Sequence, residues 1–373
     1  MKRYLKLLFL TIIISSCSSS EVDSIQSILL KQDTDNNATH LSDFVAEAEY
    51  IPLETKDECN IGRIEKVDFY NERIYVLDSY KARKMYVFSL DGIYIKTIGE
   101  QGKGPGAYRY PLDFSIIENE IYILSDYTRV QKYSIEGDFI EEYKLVFKAK
   151  RFHEIDNGFI FLYNTTDLST HRIRFTDRSF KLENETYVPE VSSFGMQTLN
   201  SFFEKEGKLY THISFEDNFK SFSKNGDIKS VINLSLPREY IMDEPKLQTY
   251  YNFEPKNLRA KKFVEESLII RNYLPLESVD FVTYKINGSD HIAFYSKTKH
   301  GVVSFQNLIN DIDYCSVLPT LYSSLNSNTI LAYYYSDKLF SDEVEFDKES
   351  KIKTLDSGKL NNPIIVLYRV KEF

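Results

Sequence analysis

Three features of the sequence predict an all-β fold, and more closely a β-propeller: its composition, its alternating apolar runs and a repeat of about 45 residues. Tyrosine and phenylalanine supply 28 and 26 of the 373 residues, and tryptophan is missing. The aromatic and β-branched residues alternate with polar ones in short runs, as in strands with one buried face. Helical spacing is scarce before residue 240.

The repeat is clearest in two consecutive segments, "RIYVLDSYKARKMYVFSLDGIYIKTIG" (Arg73–Gly99) and "EIYILSDYTRVQKYSIEGDFIEEYKL" (Glu120–Leu145). Each reads as strands separated by turns, and an Asp-Gly or Glu-Gly pair marks a tight hairpin. Weaker copies follow around Gly226 and Gly288. A period of roughly 40 to 50 residues with about four strands is typical of propeller blades.

The length of the repeat region decides the number of blades. About 330 residues fit six blades with insertions, or seven lean blades as the alternative. Two charged segments with partial helical spacing, residues 243–263 and 336–360, read as short helical insertions and favour six. Strands from residues 46–55 and 363–373 can pair in one blade, which closes the ring without an open sheet edge. We therefore predict a six-bladed β-propeller over residues 44–373.

The N-terminus reads as an export signal. Lys2 and Arg3 precede a short apolar run, and residues 1–16 end in small residues before Cys17. The "ISSC" ending resembles a bacterial lipobox, in which Cys17 is lipidated; an ordinary secretory signal is the alternative. Residues 17–43 are polar and read as a tether. We expect an exported protein of the cell envelope, held at an outer-membrane, periplasmic or surface face by lipid.

The charge of the chain limits its possible partners, and its cysteine content limits its possible disulfides. The net charge of −9 and the lack of a basic run argue against nucleic acid. Beyond Cys17 the chain has only Cys59 and Cys315. In an exported protein these two could form a disulfide, or they could remain as two buried thiols.

A glycine-rich stretch, "IGEQGKGPGAYRYP" (Ile98–Pro111), invites comparison with phosphate-binding loops. Such loops need Gly-Lys followed by Ser or Thr and a helix behind them. Here Gly104 follows Lys103, and the next element alternates as a strand. We interpret the stretch as a connector between two blades, and we expect no cofactor.

Catalytic motifs are not evident. The six histidines are scattered without metal-ligand spacing, and no nucleophilic triad stands out. A propeller could still gather one residue per blade in its central channel. A metal-dependent hydrolase or lyase with unknown metal ligands therefore remains the alternative to a binding module.

Strand order predicts a binding face. In an up-and-down blade, the loop between the second and third strands and the connector to the next blade emerge at the same end. That face should display tyrosines beside arginines, which suit glycans, peptides or acidic ligands. The residues expected there are Tyr80, Arg83, Arg109, Tyr110, Tyr127 and Arg129. The alternative is that these are ordinary surface residues of a tyrosine-rich protein.

Several of these segments resemble a known family. "YIPLET", "IYVLD", "VFSLDG", "IGEQGKGPGAYRYPLDF" and "NPIIVLYRV" are similar to the six-bladed β-propeller lipoproteins of Bacteroidetes, relatives of NHL-repeat propellers. The resemblance covers most of the chain from Glu47 and is strongest over Tyr50–Leu145. It implies an exported, lipid-anchored propeller. We expect a monomer that binds a glycan, a peptide or an envelope protein without catalysis.

Overall fold

The computed structural model describes residues 22, 24–29, 39–165, 167, 169–188, 200–213, 216–235, 269–286, 289–297, 301–305, 308–355 and 362–371. Strands dominate these residues and form six small sheets, each built on four antiparallel strands. Innermost strands of neighbouring sheets contact one another, so the sheets stand around one axis as blades. The predicted six-bladed β-propeller is confirmed.

Three short strands precede the first complete blade. They are β1 (Ser24–Leu29), β2 (Thr39–His40) and β3 (Val45–Pro52). Single 3₁₀ turns lie at Leu41–Asp43 and Asp57–Cys59.

Blades 1 to 3 follow in chain order, and each runs from the axis outward. Blade 1 contains β4 (Lys66–Tyr70), β5 (Arg73–Asp78), β6 (Lys84–Ser89) and β7 (Tyr94–Ile98). In the connector after it, β8 (Glu100–Gln101) pairs in parallel with β9 (Ala107–Tyr108). Blade 2 contains β10 (Pro111–Ile117), β11 (Glu120–Ser125), β12 (Arg129–Ser134) and β13 (Phe139–Lys144). Blade 3 contains β14 (Arg151–Ile155), β15 (Gly158–Leu162), β16 (Ile173–Thr176) and β17 (Leu182–Thr186).

Blades 4 to 6 complete the ring. Blade 4 contains β18 (Phe202–Lys205), β19 (Lys208–His212), β20 (Asn218–Phe222) and β21 (Ile228–Ser235). Blade 5 contains β22 (Ile269–Pro275), β23 (Val279–Ile286), β24 (Ser289–Ser296) and β25 (Gly301–Phe305). β26 (Leu308–Ile309) then pairs in parallel with β2. Blade 6 contains β27 (Thr320–Asn326), β28 (Thr329–Tyr334) and β29 (Ile364–Val370), with β3 as its outer strand.

The core lies between the faces of neighbouring blades. Tyr75 of β5 packs in one cluster with Phe114 and Ile123 of blade 2. Ile74, the residue before Tyr75, joins a different cluster with residues of blade 6, such as Tyr333. Successive side chains of a strand point to opposite faces, so one strand serves two interfaces. This geometry accounts for runs such as "RIYVLD", which are buried on both sides.

Ring closure occurs in blade 6, as predicted. β29 from the C-terminus pairs antiparallel with β28 and with the N-terminal β3. Val366, which lies opposite Tyr50, packs towards blade 5, whereas the neighbouring Ile365 packs towards blade 1. The two ends of the chain therefore fasten the same blade.

The two faces of the propeller carry different connections. One face, here called the turn face, holds the tight turns after the first and third strands of the blades. Gly92, Gly137 and Gly226 lie in the turns after the third strands of blades 1, 2 and 4. The opposite face, here called the loop face, holds the loops between second and third strands and the connectors between blades. Gly288 departs from this pattern, because it falls between β23 and β24, the second and third strands of blade 5, and is itself outside the described residues.

The predicted insertions are partly described. Within residues 336–360, a short helix, α1 (Ser336–Leu339), and a 3₁₀ turn at Ile352–Leu355 are present. Residues 243–263 lie outside the described residues. In the part of the chain that the structure describes, no helix is long and apolar enough to cross a membrane.

The segment read as a tether contains structure. β1 pairs in parallel with β21, so it adds a fifth strand to the outer edge of blade 4. The polar composition of residues 17–43 gave little indication of this strand, which is held mainly by one buried side chain, Ile28. The signal peptide and Cys17 lie outside the described residues.

Of the two alternatives for Cys59 and Cys315, the structure has the two buried thiols and not the disulfide. Cys59 and Cys315 are both free and buried, in different clusters of the core. Cys59 Sγ donates to the carbonyl of Glu54 at 3.2 Å, and Cys315 Sγ donates to that of Val317 at 3.3 Å. Burial raises the pKa of both thiols, which pack as small apolar side chains.

Candidate ligand-binding site

A buried carboxylate organises the loop face of blade 1. Asp78 ends β5 and is fully buried. Its Oδ1 accepts hydrogen bonds from the backbone N–H groups of Tyr80 and Lys81, at 3.0 and 2.8 Å. Its Oδ2 accepts from those of Gly62 and Arg63, at 2.8 and 3.0 Å. One side chain thus holds the loop with Tyr80 against the segment with Arg63.

The glycine-rich connector is held by the core beneath it. Tyr108 is buried, and its hydroxyl donates to the carbonyl of Ile98 at 2.6 Å. Tyr133 donates to the carbonyl of Gly106 at 2.9 Å, and Gln131 donates to that of Ala107 at 2.7 Å. These contacts place the end of the connector, including Tyr110, at the rim of the loop face. The predicted connector between blades 1 and 2 is confirmed.

A cavity of about 660 Å³ opens between the loops of blades 1, 2 and 3. Four of the six residues expected on this face line it: Tyr80, Arg83, Tyr110 and Tyr127. Its volume lies within the range of roughly 300 to 1,000 Å³ that is usual for small-molecule sites. The structure therefore brings these four residues together, while their role in binding stays a prediction.

Two arginine–tyrosine stacks flank the cavity. The guanidinium carbon of Arg83 lies 4.5 Å from the centre of the Tyr110 ring, and that of Arg63 lies 5.5 Å from the centre of the Tyr80 ring. Tyr80 is 68 % exposed and Tyr110 is 40 % exposed. Such stacking orders the guanidinium groups while leaving ring faces open to a ligand.

The other end of the cavity is basic. Arg151 is buried, donates to the carbonyl of Leu112 at 2.8 Å and forms a close ion pair with Glu65. Lys150 lies beside it. Burial is the larger cause and repulsion from Arg151 the smaller cause of the lowered pKa of Lys150. Among the described lining residues, Glu65 is the one carboxylate, and Arg151 already neutralises it. Four cationic side chains thus surround the cavity: Arg63, Arg83, Lys150 and Arg151.

Two predicted residues lie beside the cavity without lining it. Arg109 Nε is 3.6 Å from Asp126 Oδ1, and Arg129 donates to Asp126 Oδ2 at 2.6 Å. Arg129 also pairs with Glu142 at 2.9 Å. Their guanidinium groups are engaged with carboxylates of blade 2, so they support the loop around Tyr127 from behind.

Three residues of this face have a left-handed backbone. Arg83, Asp126 and Tyr127 have φ values of 55°, 49° and 67°. Non-glycine residues in this region carry conformational strain, which proteins often retain at functional sites. The left-handed backbone sets the directions in which these side chains leave their loops.

A second cavity of about 660 Å³ follows the axis. It is lined by inner strands and is polar: Lys66 pairs with Asp113 at 3.0 Å, and His153 lies 3.8 Å from Glu204. Burial raises the pKa of Asp68, despite the opposing effect of Lys66. Glu65 and Arg151 line both cavities, so their ion pair stands between the channel and the loop face.

The channel bears on the alternative of a metal-dependent hydrolase or lyase. Across the described residues, no group of three or more His, Cys, Asp or Glu side chains is arranged to hold a metal ion. The channel carboxylates named above are instead paired with lysine, arginine or histidine, except for Asp68. Within the part of the chain that the structure describes, no observation favours the alternative.

Sequence reasoning missed the basic end of the cavity. Arg63, Lys150 and Arg151 lie just before or at the start of inner strands, outside the loops from which the face was predicted. Asp78 was missed as well, although an aspartate that ends a buried strand before a tight loop is a recognisable signal for side-chain-to-backbone bonding. Inner strands begin at the loop face, and applying that rule to them would have found the three cations.

Comparison with known families matches residues 25–369 to a domain of unknown function, DUF4934. The chain belongs to the DUF4934 family. The match spans all six blades and includes β1 from its second residue. No curated protein matches the chain.

A solved structure shares the fold of this DUF4934 chain. It is a crystal structure of a protein from Bacteroides fragilis NCTC 9343 that carries the name "Putative exported protein". The two are 19 % identical in sequence, and the similarity covers 93 % of this chain and 100 % of the other, with a TM-score of 0.72. At this identity the likeness establishes the shared fold.

Proposed function

We propose that this DUF4934 protein is an exported, lipid-anchored binding module that takes an acidic saccharide in the cavity of its loop face. One observation carries the proposal. Four cations and three tyrosines surround a single cavity in which the only described carboxylate is already paired, in a protein with a net charge of −9. A local excess of positive charge in an acidic protein favours an anionic ligand.

The chemistry of the lining suits carboxylated or sulfated sugars. Arginine and lysine form charge-assisted hydrogen bonds with such groups, and arginine can do so in a bidentate manner. The exposed faces of Tyr80 and Tyr110 offer flat apolar surfaces for sugar rings. The two arginine–tyrosine stacks hold both kinds of group in place before the ligand arrives, which lowers the entropic cost of binding.

Export and lipid attachment are part of the same proposal. They are supported by the basic and apolar N-terminus, by the lipobox-like residues before Cys17 and by the name of the B. fragilis protein. A binding module anchored at Cys17 would hold its ligand at the cell envelope.

The test is direct binding by calorimetry. The chain with residues 1–16 replaced by a hexahistidine tag and with Cys17→Ser is titrated with trigalacturonate, with neutral galactotriose and with triglutamate. We expect binding of the charged trisaccharide that weakens as salt is raised, and none of the neutral one. Preference for triglutamate would instead identify an acidic peptide as the ligand.

Two cavity variants and a matched control locate the site. We expect Arg83→Gln and Tyr80→Ala each to weaken binding by roughly tenfold, since each removes a charged or stacking contact worth about 1.4 kcal/mol. Lys103→Gln removes an exposed positive charge from the same face outside the cavity, and we expect it to leave binding unchanged. Equal effects of all three variants, or none, would contradict the assignment of the site.

A further inference from the structure

The direction of β1 fixes where the N-terminus leaves the propeller. β1 runs parallel to β21, with Ser24 opposite Ser230 and Leu29 opposite Ser235. β21 begins immediately after the turn at Gly226, which belongs to the turn face. Ser24 therefore lies at the turn face, on the side of the molecule opposite the cavity.

Specific contacts hold β1 along its length. Ile28 is 1 % exposed and packs in a cluster with residues such as Phe219 and Ile232 of blade 4. Ser24 Oγ donates to Ser230 Oγ at 3.0 Å, and Lys208 Nζ donates to Ser230 Oγ at 2.7 Å. These bonds keep the first residues of the strand beside the outer edge of blade 4.

Only a short segment separates this point from Cys17. Seven residues of fully extended chain span at most about 25 Å. A seven-residue strand such as β22 is itself about 23 Å long, so this reach is close to the depth of a blade. To bring the loop face against the membrane, this segment would have to lie fully extended along the outer edge of blade 4 and use all of its reach, whereas at the turn face it needs none of that reach.

We propose that the turn face lies towards the membrane and that the loop face with its cavity points away from it. The inference rests on the lipid anchor of the proposed function and adds the orientation of the domain. The anchored propeller then presents its cavity to ligands that approach from the side away from the lipid.

The character of the turn face indicates which lipid surface it fits. Exposed apolar residues lie there on blade 1, at Leu90 and Ile93, which are 45 % and 53 % exposed. Glu72, Asp91 and Glu206 are exposed on the same face. Apolar side chains favour contact with the interfacial zone, whereas the carboxylates disfavour a strongly anionic surface. The turn face therefore fits a mainly zwitterionic lipid surface better than a strongly anionic one.

Energy transfer to the membrane tests the orientation. The tagged Cys17→Ser chain described above is bound through its N-terminal tag to phosphatidylcholine vesicles that contain nickel-chelating lipid and an acceptor dye on the headgroups. A donor dye is attached at Asn225→Cys on the turn face or at Lys103→Cys on the loop face. The faces are about 25 Å apart, so we expect roughly twofold more transfer from position 225. Equal transfer, or more from position 103, would overturn the proposal.

Two substitutions in β1 show whether the strand sets the orientation. Ile28→Asp removes the buried anchor of β1, and we expect the difference between the two labels to disappear. Ile25→Asp, on the same strand at a side chain that is 66 % exposed, should preserve the difference. A difference that survives Ile28→Asp would mean that β1 does not set the orientation. Lipid attachment is read separately, from the mass of the N-terminal peptide of the exported protein, so its failure cannot be mistaken for a failure of the orientation.

Discussion

Individual polar side chains decide the local geometry of the loop face. Asp78 binds four backbone N–H groups from two segments, and Asp126 holds both Arg109 and Arg129. Arg83, Arg109 and Arg129 were all expected on the binding face because each lies near tyrosines in a loop. Arg83 lines the cavity, whereas Arg109 and Arg129 pair with carboxylates beside it. This difference depends on where the carboxylates lie in the folded chain, which spacing along the sequence does not reveal.

His212 gives blade 4 a dependence on pH. It is 2 % exposed, its Nε2 lies 3.1 Å from the carbonyl of Glu216, and Lys220 is close by. Burial, with a contribution from Lys220, lowers the pKa of His212 to about 4 from 6.5. The folded protein therefore keeps this histidine neutral, while the unfolded chain binds a proton below pH 6.5. Stability from this group is complete above pH 6.5 and is lost as the pH falls towards 4.

We expect His212→Gln to flatten this pH dependence. Between pH 7 and pH 5 the free energy of unfolding of the unsubstituted protein should fall by about 2 kcal/mol more than that of the variant. Urea unfolding at several pH values measures the difference. Parallel curves for the two proteins would show that folding does not lower the pKa of His212.

Among the secondary-structure elements, the connector between blades 1 and 2 shows which glycines the path requires. Gly99 has a φ of +66°, and a Cβ there would lie 2.6 Å from the Tyr108 ring. Gly104 has no atom within 4 Å of such a Cβ. We expect Gly99→Ala to reduce the free energy of unfolding by roughly 2 kcal/mol or more, through strain and overpacking, and Gly104→Ala to change it little.

Thermal and urea unfolding of the two alanine variants check this expectation. If both variants match the parent protein, the connector does not follow the path seen here. If both are equally unstable, glycine is required for chain flexibility and not for the contact with Tyr108.

β1 illustrates an element that sequence pattern does not find. Its residues, SIQSIL, are mostly exposed, and only one side chain, Ile28, is deeply buried among those described. A strand of this kind exists because β21 offers unpaired backbone groups at the edge of blade 4. Its hydrogen-bond partners lie about 200 residues away, and local alternation carries no information about them.

For the molecule as a whole, stability depends on the blade that joins the two ends of the chain. Val366 of β29 is fully buried in the interface with blade 5, whereas Arg369 of the same strand is exposed and pairs with Glu47 at 2.9 Å. We expect Val366→Ala to reduce the free energy of unfolding by roughly 2 kcal/mol, through loss of buried contacts and a cavity. Arg369→Ala should cost about 1 kcal/mol or less, since exposed ion pairs contribute little.

Urea unfolding followed by tyrosine fluorescence and by far-ultraviolet circular dichroism measures both variants. Signals that move together after Val366→Ala indicate that closure stabilises the ring as one unit. An unchanged midpoint for Val366→Ala would contradict the packing of β29 against blade 5 as a structural requirement.

Periodicity and composition predicted most of the architecture: six blades in preference to seven, closure by strands from the two ends of the chain, and a connector at the glycine-rich stretch. These features follow from local alternation and turn chemistry, which repeat in every blade and are legible in a single chain. The basic end of the cavity, the two free thiols and the position of β1 came from the folded molecule. Each depends on residues from different blades, and the distances between them are set by how the sheets pack around the axis.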